Sequence, residues 1–234
     1  MNVSRHLSLM CAMLLAAGTA TAEARDNDWV SYRDAYRAMV VFEKYGKPKQ
    51  YLQNTYQVVP KDKAAPTDGL RLSLNGKTTN LNLPLDAAGR TVFPLLKAAY
   101  DENAEITLNQ NVSQYQFRPR ISILTRPDGM YEAADLRAAC EQALAYHRYV
   151  NPGAYNGRKC AGVRFVYPRK GVDPTVHVRI GERDTALPVN EGSAFGDTDG
   201  GSNFRVVAYR FADWPATGSV TTENGALLIS AVFE

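Results

Sequence analysis

Oxygen-bearing side chains are concentrated in one glycine-rich stretch of the 234-residue chain, FGDTDGGSNF, from Phe195 to Phe204. Asp197, Asp199 and Asn203 stand at alternate positions, as the ligands of a calcium loop do. A helix-loop-helix calcium site also needs Gly at its sixth position and Glu at its twelfth, and counting from Asp197 these positions hold Ser and Ala. The stretch therefore does not fit the helix-loop-helix calcium site. Two interpretations stay open: an irregular calcium site made by Asp197, Asp199 and Asn203, or a surface loop between two strands.

The same stretch, together with Glu191 just before it, is where paired carboxylates could catalyse hydrolysis. Glu191, Asp197 and Asp199 are clustered acids of the kind that glycosidases use. Elsewhere the sequence has no nucleophile-elbow pattern, zinc-ligand spacing or glycine-rich phosphate loop, and neither His147 nor His177 has a catalytic motif around it. No catalytic residue is therefore assigned, no cofactor other than calcium is expected, and a binding or scaffold role is favoured over an enzymatic one.

A second candidate site is the segment TLNQNVSQYQFRPR, residues 107 to 120, which is rich in amides and aromatic side chains. Such side chains bind sugars and peptides by stacking and hydrogen bonding. Gln114, Tyr115 and Gln116 are the candidate ligand-binding residues. The alternative is a strand whose aromatic face, with Tyr115 and Phe117, is buried and whose polar face is exposed.

The first 24 residues have the pattern of a secretory signal peptide. Arg5 precedes an apolar run from Leu7 to Ala17, and small residues then give cleavage sites after Ala22 and Ala24. The apolar run is too short to span a bilayer, and no later one approaches the roughly 20 residues that a transmembrane helix needs. We therefore expect a periplasmic or secreted protein without a transmembrane segment.

Net charge and cysteine content further limit the kinds of protein that this chain can be. The net charge is +3, with 27 basic and 24 acidic residues, which is well short of a nucleic-acid-binding signature. Cys11 lies in the expected signal peptide, so Cys140 and Cys160 remain in the exported chain. Because disulfides form and persist after export, we expect these two cysteines to be bonded.

Two amphipathic helices and several strands are predicted from hydrophobic periodicity. The first helix starts at Ser31, an N-cap residue, and stops near Gly46; the second lies in residues 131 to 150 and ends at Asn151-Pro152-Gly153. In the second helix Leu136, Cys140, Ala143, Leu144 and His147 share one face. Alternating apolar residues predict strands in these segments: 70–76, 104–110, 114–124, 176–181, 203–211 and 226–234.

The segments that follow the two helices match one another. Val58-Val59-Pro60-Lys61 aligns with Val166-Tyr167-Pro168-Arg169, Gly76 with Gly181, and Leu83-Pro84-Leu85-Asp86 with Leu187-Pro188-Val189-Asn190. The spacing between these anchors is nearly constant, which indicates an internal duplication. The predicted class is α+β, mostly β: two tandem duplicated units, 25–126 and 127–234, each a small antiparallel sheet or sandwich with one amphipathic helix, the second carrying the disulfide.

A tyrosine-rich helix followed by strands that end in Leu-Pro-Leu-Asp, here Leu83 to Asp86, resembles signal-bearing proteins of unknown function from the Gram-negative envelope. The resemblance covers roughly the first unit and implies a location but no activity. The expected function is that of an exported, non-enzymatic periplasmic binding or scaffold protein, whose partner is an envelope protein or a glycan. The alternative is a carboxylate-dependent envelope hydrolase acting on glycan or cell-wall material.

Overall fold

The computed structural model describes residues 31–62, 64–196 and 204–234. The helices in this part of the chain are α1 (Tyr32–Glu43), α2 (Lys97–Asp101), α3 (Ala133–Val150) and α4 (Pro152–Tyr155). The strands are β1 (Leu52–Pro60), β2 (Leu72–Asn75), β3 (Asn80–Leu83), β4 (Arg90–Thr91), β5 (Glu105–Leu108), β6 (Tyr115–Ile123), β7 (Met130–Glu132), β8 (Cys160–Tyr167), β9 (Val176–Ile180), β10 (Arg183–Ala186), β11 (Val189–Gly192), β12 (Phe204–Arg210), β13 (Ser219–Thr222) and β14 (Leu228–Phe233). The protein is mostly β with few helices, and its sheets are antiparallel.

Helix α1 begins where the sequence predicts. The Ser31 hydroxyl accepts a hydrogen bond from the Asp34 amide at 3.2 Å, which satisfies one of the free donors of the first turn. The apolar positions Tyr32, Ala35 and Met39 are buried, so one face of the helix packs on the sheet. Helix α3 likewise buries four of its five predicted core residues, Leu136, Cys140, Ala143 and Leu144.

Seven strands form the main sheet, in the order β11-β12-β8-β14-β6-β1-β4. On one side β1 and β6 pair over nine residues, from Leu52 with Ile123 to Pro60 with Tyr115. On the other side β8 is held between β12 and β14. The main sheet therefore takes strands from both halves of the chain, where the sequence alone predicts a separate small sheet for each half.

The two halves of the sheet meet at a narrow junction. Among the described residues, Ile123 and Ile229 are the one registered pair between β6 and β14. Beyond this pair the strands separate, and Arg120 of β6 and Val232 of β14 both line the space between them. The sheet is therefore split at its centre.

Two smaller sheets flank the main one, in the orders β3-β2-β5 and β10-β9-β13-β7. Gly76 and Gly181, aligned in the sequence, each lie in a β-hairpin. Asn75 pairs with Asn80 around a loop that begins at Gly76, and Ile180 pairs with Arg183 around Gly181. Gly181 has φ 57°, a conformation that suits glycine in so tight a turn.

The two faces of the main sheet have different chemistry because side chains alternate along a strand. The face toward α1 and α3, which we call the helical face, carries buried aromatic residues such as Tyr56, Phe117 and Phe165. The opposite face, which we call the loop face, carries a buried apolar cluster that includes Val166, Val206 and Leu228 on one half of the sheet, and polar side chains on the half made by β1 and β6. There Arg120 Nε donates to Gln57 Oε1 at 2.7 Å.

A buried ion pair joins the halves of the chain on the loop face. Arg90 forms a salt bridge with Asp86, with the guanidinium 7% exposed. The same guanidinium donates to Ser122 Oγ at 3.2 Å and to the Leu227 carbonyl at 2.8 Å. Because Leu227 precedes β14 and Asp86 precedes β4, this contact links two distant parts of the sheet.

In residues 31–62, 64–196 and 204–234, no helix is long and apolar enough to span a membrane.

Candidate ligand-binding cleft

The split between β6 and β14 opens into a cleft of about 1140 Å³. Helices α1, α3 and α4 form one wall, the separated strands form the floor, and residues 193 to 196 close the loop-face side. A volume of this size accommodates a small organic ligand and exceeds what side-chain packing defects produce. Three other concave sites on the described part of the chain are smaller, with volumes of about 280, 310 and 600 Å³.

Aromatic rings dominate the helical wall of the cleft. Tyr146, His147 and Tyr149 come from the last turns of α3, Tyr155 from α4 and Phe233 from the end of β14. His147 and Tyr155 stack with ring centroids 4.5 Å apart and planes 15° apart. Phe233 meets both rings edge-on, at 5.7 Å and 5.8 Å. Offset and edge-on packing of this kind fixes ring positions as well as burying area.

The turn between α3 and α4 places Tyr155 on His147. Asn151 ends α3, as predicted, and its side-chain oxygen accepts from the Ala154 amide at 3.3 Å. Pro152 then starts α4, since its fixed φ and missing N–H suit a first helical turn. Arg148 donates to the carbonyls of Tyr155 and Arg158, which holds the returning chain against α3.

A disulfide anchors this wall to the sheet. The sulfur atoms of Cys140 and Cys160 lie at bonding distance, with the Cα atoms 6.0 Å apart, as the sequence predicts. Cys140 is fully buried on α3, and Cys160 begins β8. The bond therefore fixes α3 over the sheet two turns before His147.

Burial decides the ionisation of two side chains in the wall. Burial lowers the pKa of His147 to about 4, with the positive charge of Arg120 adding to the effect. Burial also raises the pKa of the Tyr146 hydroxyl to about 12, with Tyr149 and Tyr45 contributing. At neutral pH both side chains are uncharged, so His147 presents a neutral ring to the cleft.

Arginine supplies the charge of the cleft. Arg120, Arg158 and Arg164 line it, and no Asp or Glu is among its described lining residues. The Arg120 guanidinium lies 4.6 Å from the centroid of Phe195, a cation–π distance. Arg164 Nη1 donates to the Ser193 carbonyl at 2.9 Å. Three positively charged side chains therefore line the described walls of the cleft.

The short segment from Ser193 to Gly196 is held in place by the floor of the cleft. Ser230 Oγ donates to the Ala194 carbonyl at 2.7 Å, and the Gly196 amide donates to Ser193 Oγ at 3.0 Å. Gly196 has φ 82° and lies beside Arg164, whose Nη1 would be 3.4 Å from an added Cβ.

The glycine-rich stretch continues from this point. Asp197, Asp199 and Asn203, the predicted calcium ligands, lie outside the described residues, so their role stays a prediction. Glu191 lies in β11, opposite Arg205 of β12. In the described ranges 31–62, 64–196 and 204–234, no group of three or more His, Cys, Asp or Glu side chains is placed to hold a metal ion.

The predicted ligand-binding residues of the second candidate segment lie elsewhere. Tyr115 is fully buried in the core beneath α1, and its hydroxyl donates to the Pro66 carbonyl at 2.8 Å. Gln114 is exposed at the end of a short 3-10 turn, and Gln116 accepts a hydrogen bond from Arg118. None of the three lines the cleft. Their binding role stays a prediction.

His177, the other histidine outside the first 24 residues, is half-buried on β9, between the buried residues Val176 and Val178. Its Nδ1 is 3.0 Å from Asp184 Oδ1, and Arg179 approaches the same carboxylate at 3.3 Å. The hydrogen bond from His177 is the main cause that lowers the pKa of Asp184. This cluster belongs to the small sheet and is separate from the cleft.

The residues that build the cleft come from separate segments, and sequence reasoning did not single out Arg120, Arg164, Tyr155 or Phe233. The signal that was available is modest: arginines within β6 and β8, and aromatic residues clustered at the end of α3. The chain matches no protein-family model, no curated protein and no solved structure.

Proposed function

We propose that the protein is an exported binding protein of the periplasm whose ligand occupies the cleft between β6 and β14. The observation that carries the proposal is the split of the main sheet, which creates a large cleft with an aromatic wall and arginine side chains. Rings and fixed guanidinium groups are the components from which binding sites are built. The disulfide and the capped turn hold the wall in place without a ligand.

A blocked cleft tests this proposal. Ala154 is exposed on α4 and lines the cleft, so Ala154→Trp places an indole in the binding space. Ala98→Trp on α2 is the matched control, because Ala98 is also an exposed helical alanine but does not line the cleft. Both variants and the unaltered protein are purified natively after incubation with envelope extract and weighed by native mass spectrometry.

The proposal predicts a bound small molecule on the unaltered protein and on Ala98→Trp, and its loss from Ala154→Trp. Retention of the same bound mass by Ala154→Trp would contradict it. The alternative, a carboxylate-dependent hydrolase, predicts turnover of glycan or cell-wall material that is abolished by Asp197→Ala, and such turnover would replace the binding role.

Export is proposed from the N-terminal pattern, and the cysteine pair at bonding distance suits an oxidising compartment. The test is intact-mass measurement after osmotic shock. Mature chains beginning at Glu23 or Arg25 in the periplasmic fraction are expected, and a chain that keeps residues 1–24 in the cytosol would contradict export.

We also propose that the chain arose by tandem duplication, with the units 25–126 and 127–234. Several observations support this. The order of helix, long strand and hairpin is the same in the two halves, and the small sheets share the arrangement β3-β2-β5 and β10-β9-β13. The cleft would then lie between two related half-sheets.

A further inference from the structure

The main chain of β6 has one edge on β1 and the other on the cleft. At the two ends of the β1–β6 pair, the Lys61 amide donates to the Gln114 carbonyl at 2.9 Å and the Leu124 amide donates to the Tyr51 carbonyl at 2.8 Å. Since main-chain groups alternate in direction along a strand, the even-numbered residues of β6 face β1 and the odd-numbered ones face β14. Ile123, which is registered with Ile229 of β14, follows this rule.

Strand β14 presents its main chain to the cleft in the same way. The Phe211 amide donates to the Ala161 carbonyl at 2.9 Å, so the odd-numbered residues of β8 face β12 and the even-numbered ones face β14. From Leu228 to Val232, the even-numbered residues of β14 are registered with even-numbered residues of β8. The odd-numbered residues of β14, among them Ala231, therefore direct their main-chain groups toward β6.

Hydrogen-bonding groups of the main chain therefore line the cleft on both sides. Two residues beyond the registered pair come Ile121 of β6 and Ala231 of β14, and within residues 31–62, 64–196 and 204–234 their main-chain groups make no hydrogen bond across the split. Pro119 comes next on β6, at another position that faces the split. Proline lacks the N–H that a closed sheet would need there, so it suits an open edge. All three residues line the cleft.

A chain lying between these edges would meet two different walls with its side chains. Side chains alternate between the faces of a sheet, so one set would point to the rings of Tyr146, His147 and Tyr155. The other set would point to residues 193 to 196 on the loop face. Tyr149, which is 58% exposed, extends the ring wall to the rim of the cleft. Apolar side chains at every second position would bury area against this wall.

We propose that the cleft takes a short extended peptide, whose main chain inserts as a strand between β6 and β14 and pairs with both edges. A peptide supplies the N–H and C=O groups that both edges can bond, as in other cases of strand addition. Because β6 and β14 are antiparallel, the inserted chain is antiparallel to one and parallel to the other. This inference rests on the proposed binding function and adds the chemical class of the ligand.

The test uses an uncharged, capped peptide of about five residues in which valine and threonine alternate, roughly 16 Å long when extended. Anilinonaphthalene sulfonate, a dye that brightens in apolar surroundings, reports whether the cleft of the purified mature protein is occupied. We expect the peptide to displace the dye. Two forms of the peptide are N-methylated, one at its odd-numbered and one at its even-numbered residues, so each form lacks the donors to one edge. Each should bind at least about tenfold more weakly than the parent peptide.

Two proline variants assign the pairing to the cleft. The Ala231 N–H faces the cleft, so Ala231→Pro removes a donor to the peptide and spares the bonds between β14 and β8. Ala186→Pro is the control: the Leu187 amide donates to the Val176 carbonyl, so the Ala186 N–H on β10 points away from β9. Ala231→Pro should lower peptide affinity several-fold, and Ala186→Pro should leave it unchanged. The N-methylated peptides are compared on the unaltered protein, so that result does not depend on the folding of a variant.

The outcomes separate the two proposals. Weaker binding of both N-methylated forms, with the loss at Ala231→Pro, supports insertion between the strands. Dye binding that the peptide does not displace, or equal affinity for the parent and N-methylated peptides, would overturn the peptide inference while leaving a binding cleft. Weaker binding of only one N-methylated form would overturn pairing with both edges. Binding of neither dye nor peptide, or binding that Ala154→Trp does not reduce, would overturn the proposed function itself.

Discussion

The imidazole ring of His147 and the phenol ring of Tyr155 lie parallel, with centroids 4.5 Å apart. This stack joins the last turn of α3 to α4 and forms the centre of the aromatic wall of the cleft. Burial and the charge of Arg120 hold the pKa of His147 at about 4. His147 therefore acts in the wall as a neutral aromatic ring at neutral pH.

The first prediction concerns the pH dependence of stability. The pKa of His147 is lowered from 6.5 to about 4 on folding, so the unfolded chain binds the proton first as the pH falls. The contribution of His147 to stability is full above pH 6.5 and is lost between pH 6.5 and about 4. The loss is on the order of 3 kcal/mol at most. Urea unfolding at a series of pH values measures it.

Two histidine variants isolate this contribution. His147→Gln should remove this part of the pH dependence, whereas His177→Gln, on the polar face of β9, should retain it. An NMR titration in which His147 has a pKa near 6.5 would contradict the buried, neutral assignment.

The second prediction concerns the disulfide. Cys140 and Cys160 are 20 residues apart, so bonding them restricts the unfolded chain by roughly 3 kcal/mol in the loop-entropy account. Reducing agent should lower the free energy of unfolding by about this amount, and should have no effect on the double variant Cys140→Ala, Cys160→Ala. Free thiols at both positions in unreduced peptides, detected by mass spectrometry, would refute the bond.

The third prediction concerns the buried arginine that joins the two halves of the chain. Arg90→Leu removes the guanidinium partner of Asp86, whose carboxylate keeps its two backbone N–H donors, and also removes the bonds to Ser122 and Leu227. We therefore expect a loss of about 3 kcal/mol of stability. Arg37→Leu is the control, because its pair with Asp34 is exposed and should be worth less than about 1 kcal/mol. Similar effects of the two substitutions in urea unfolding would show that Arg90 does not tie the sheet together.

The fourth prediction compares two Gly→Ala substitutions, one that introduces only backbone strain and one that also introduces a steric clash. Gly129 has φ 63°, and an added Cβ would lie 2.3 Å from the Thr222 carbonyl oxygen. Gly157 has φ 84° with open space around it. Gly157→Ala should therefore cost about 1 kcal/mol from strain alone, and Gly129→Ala clearly more. Equal melting temperatures for the two variants would mean that β7 and β13 do not pack as described.

Much of the local structure could be predicted from the sequence. The alternation of Leu72 and Leu74 with polar residues predicts β2, and the Ser31 cap predicts the start of α1. The expectation of an exported chain predicts the Cys140–Cys160 pair. These features depend on residues close together in the chain or on general rules of compartment and periodicity.

The site could not be predicted, because it depends on a long-range strand pairing. Arg120 and Arg164 line the same cleft only because β6 and β14 join at Ile123 and Ile229 and then separate. Tyr115 shows the same limit in the opposite direction, because the fold buries a residue that the sequence offers as a ligand-binding residue. An aromatic residue among amides suggests a binding surface, but α1 and its neighbours cover that face of β6, and the ring is buried.

The central claim, that ligand binds between the separated strands, is tested most directly by hydrogen–deuterium exchange with and without anilinonaphthalene sulfonate. The account predicts slower exchange in 146–158 and 230–233, which line the cleft, and unchanged exchange in the hairpin 176–186. Unchanged exchange at the cleft, or protection confined to the hairpin, would contradict it.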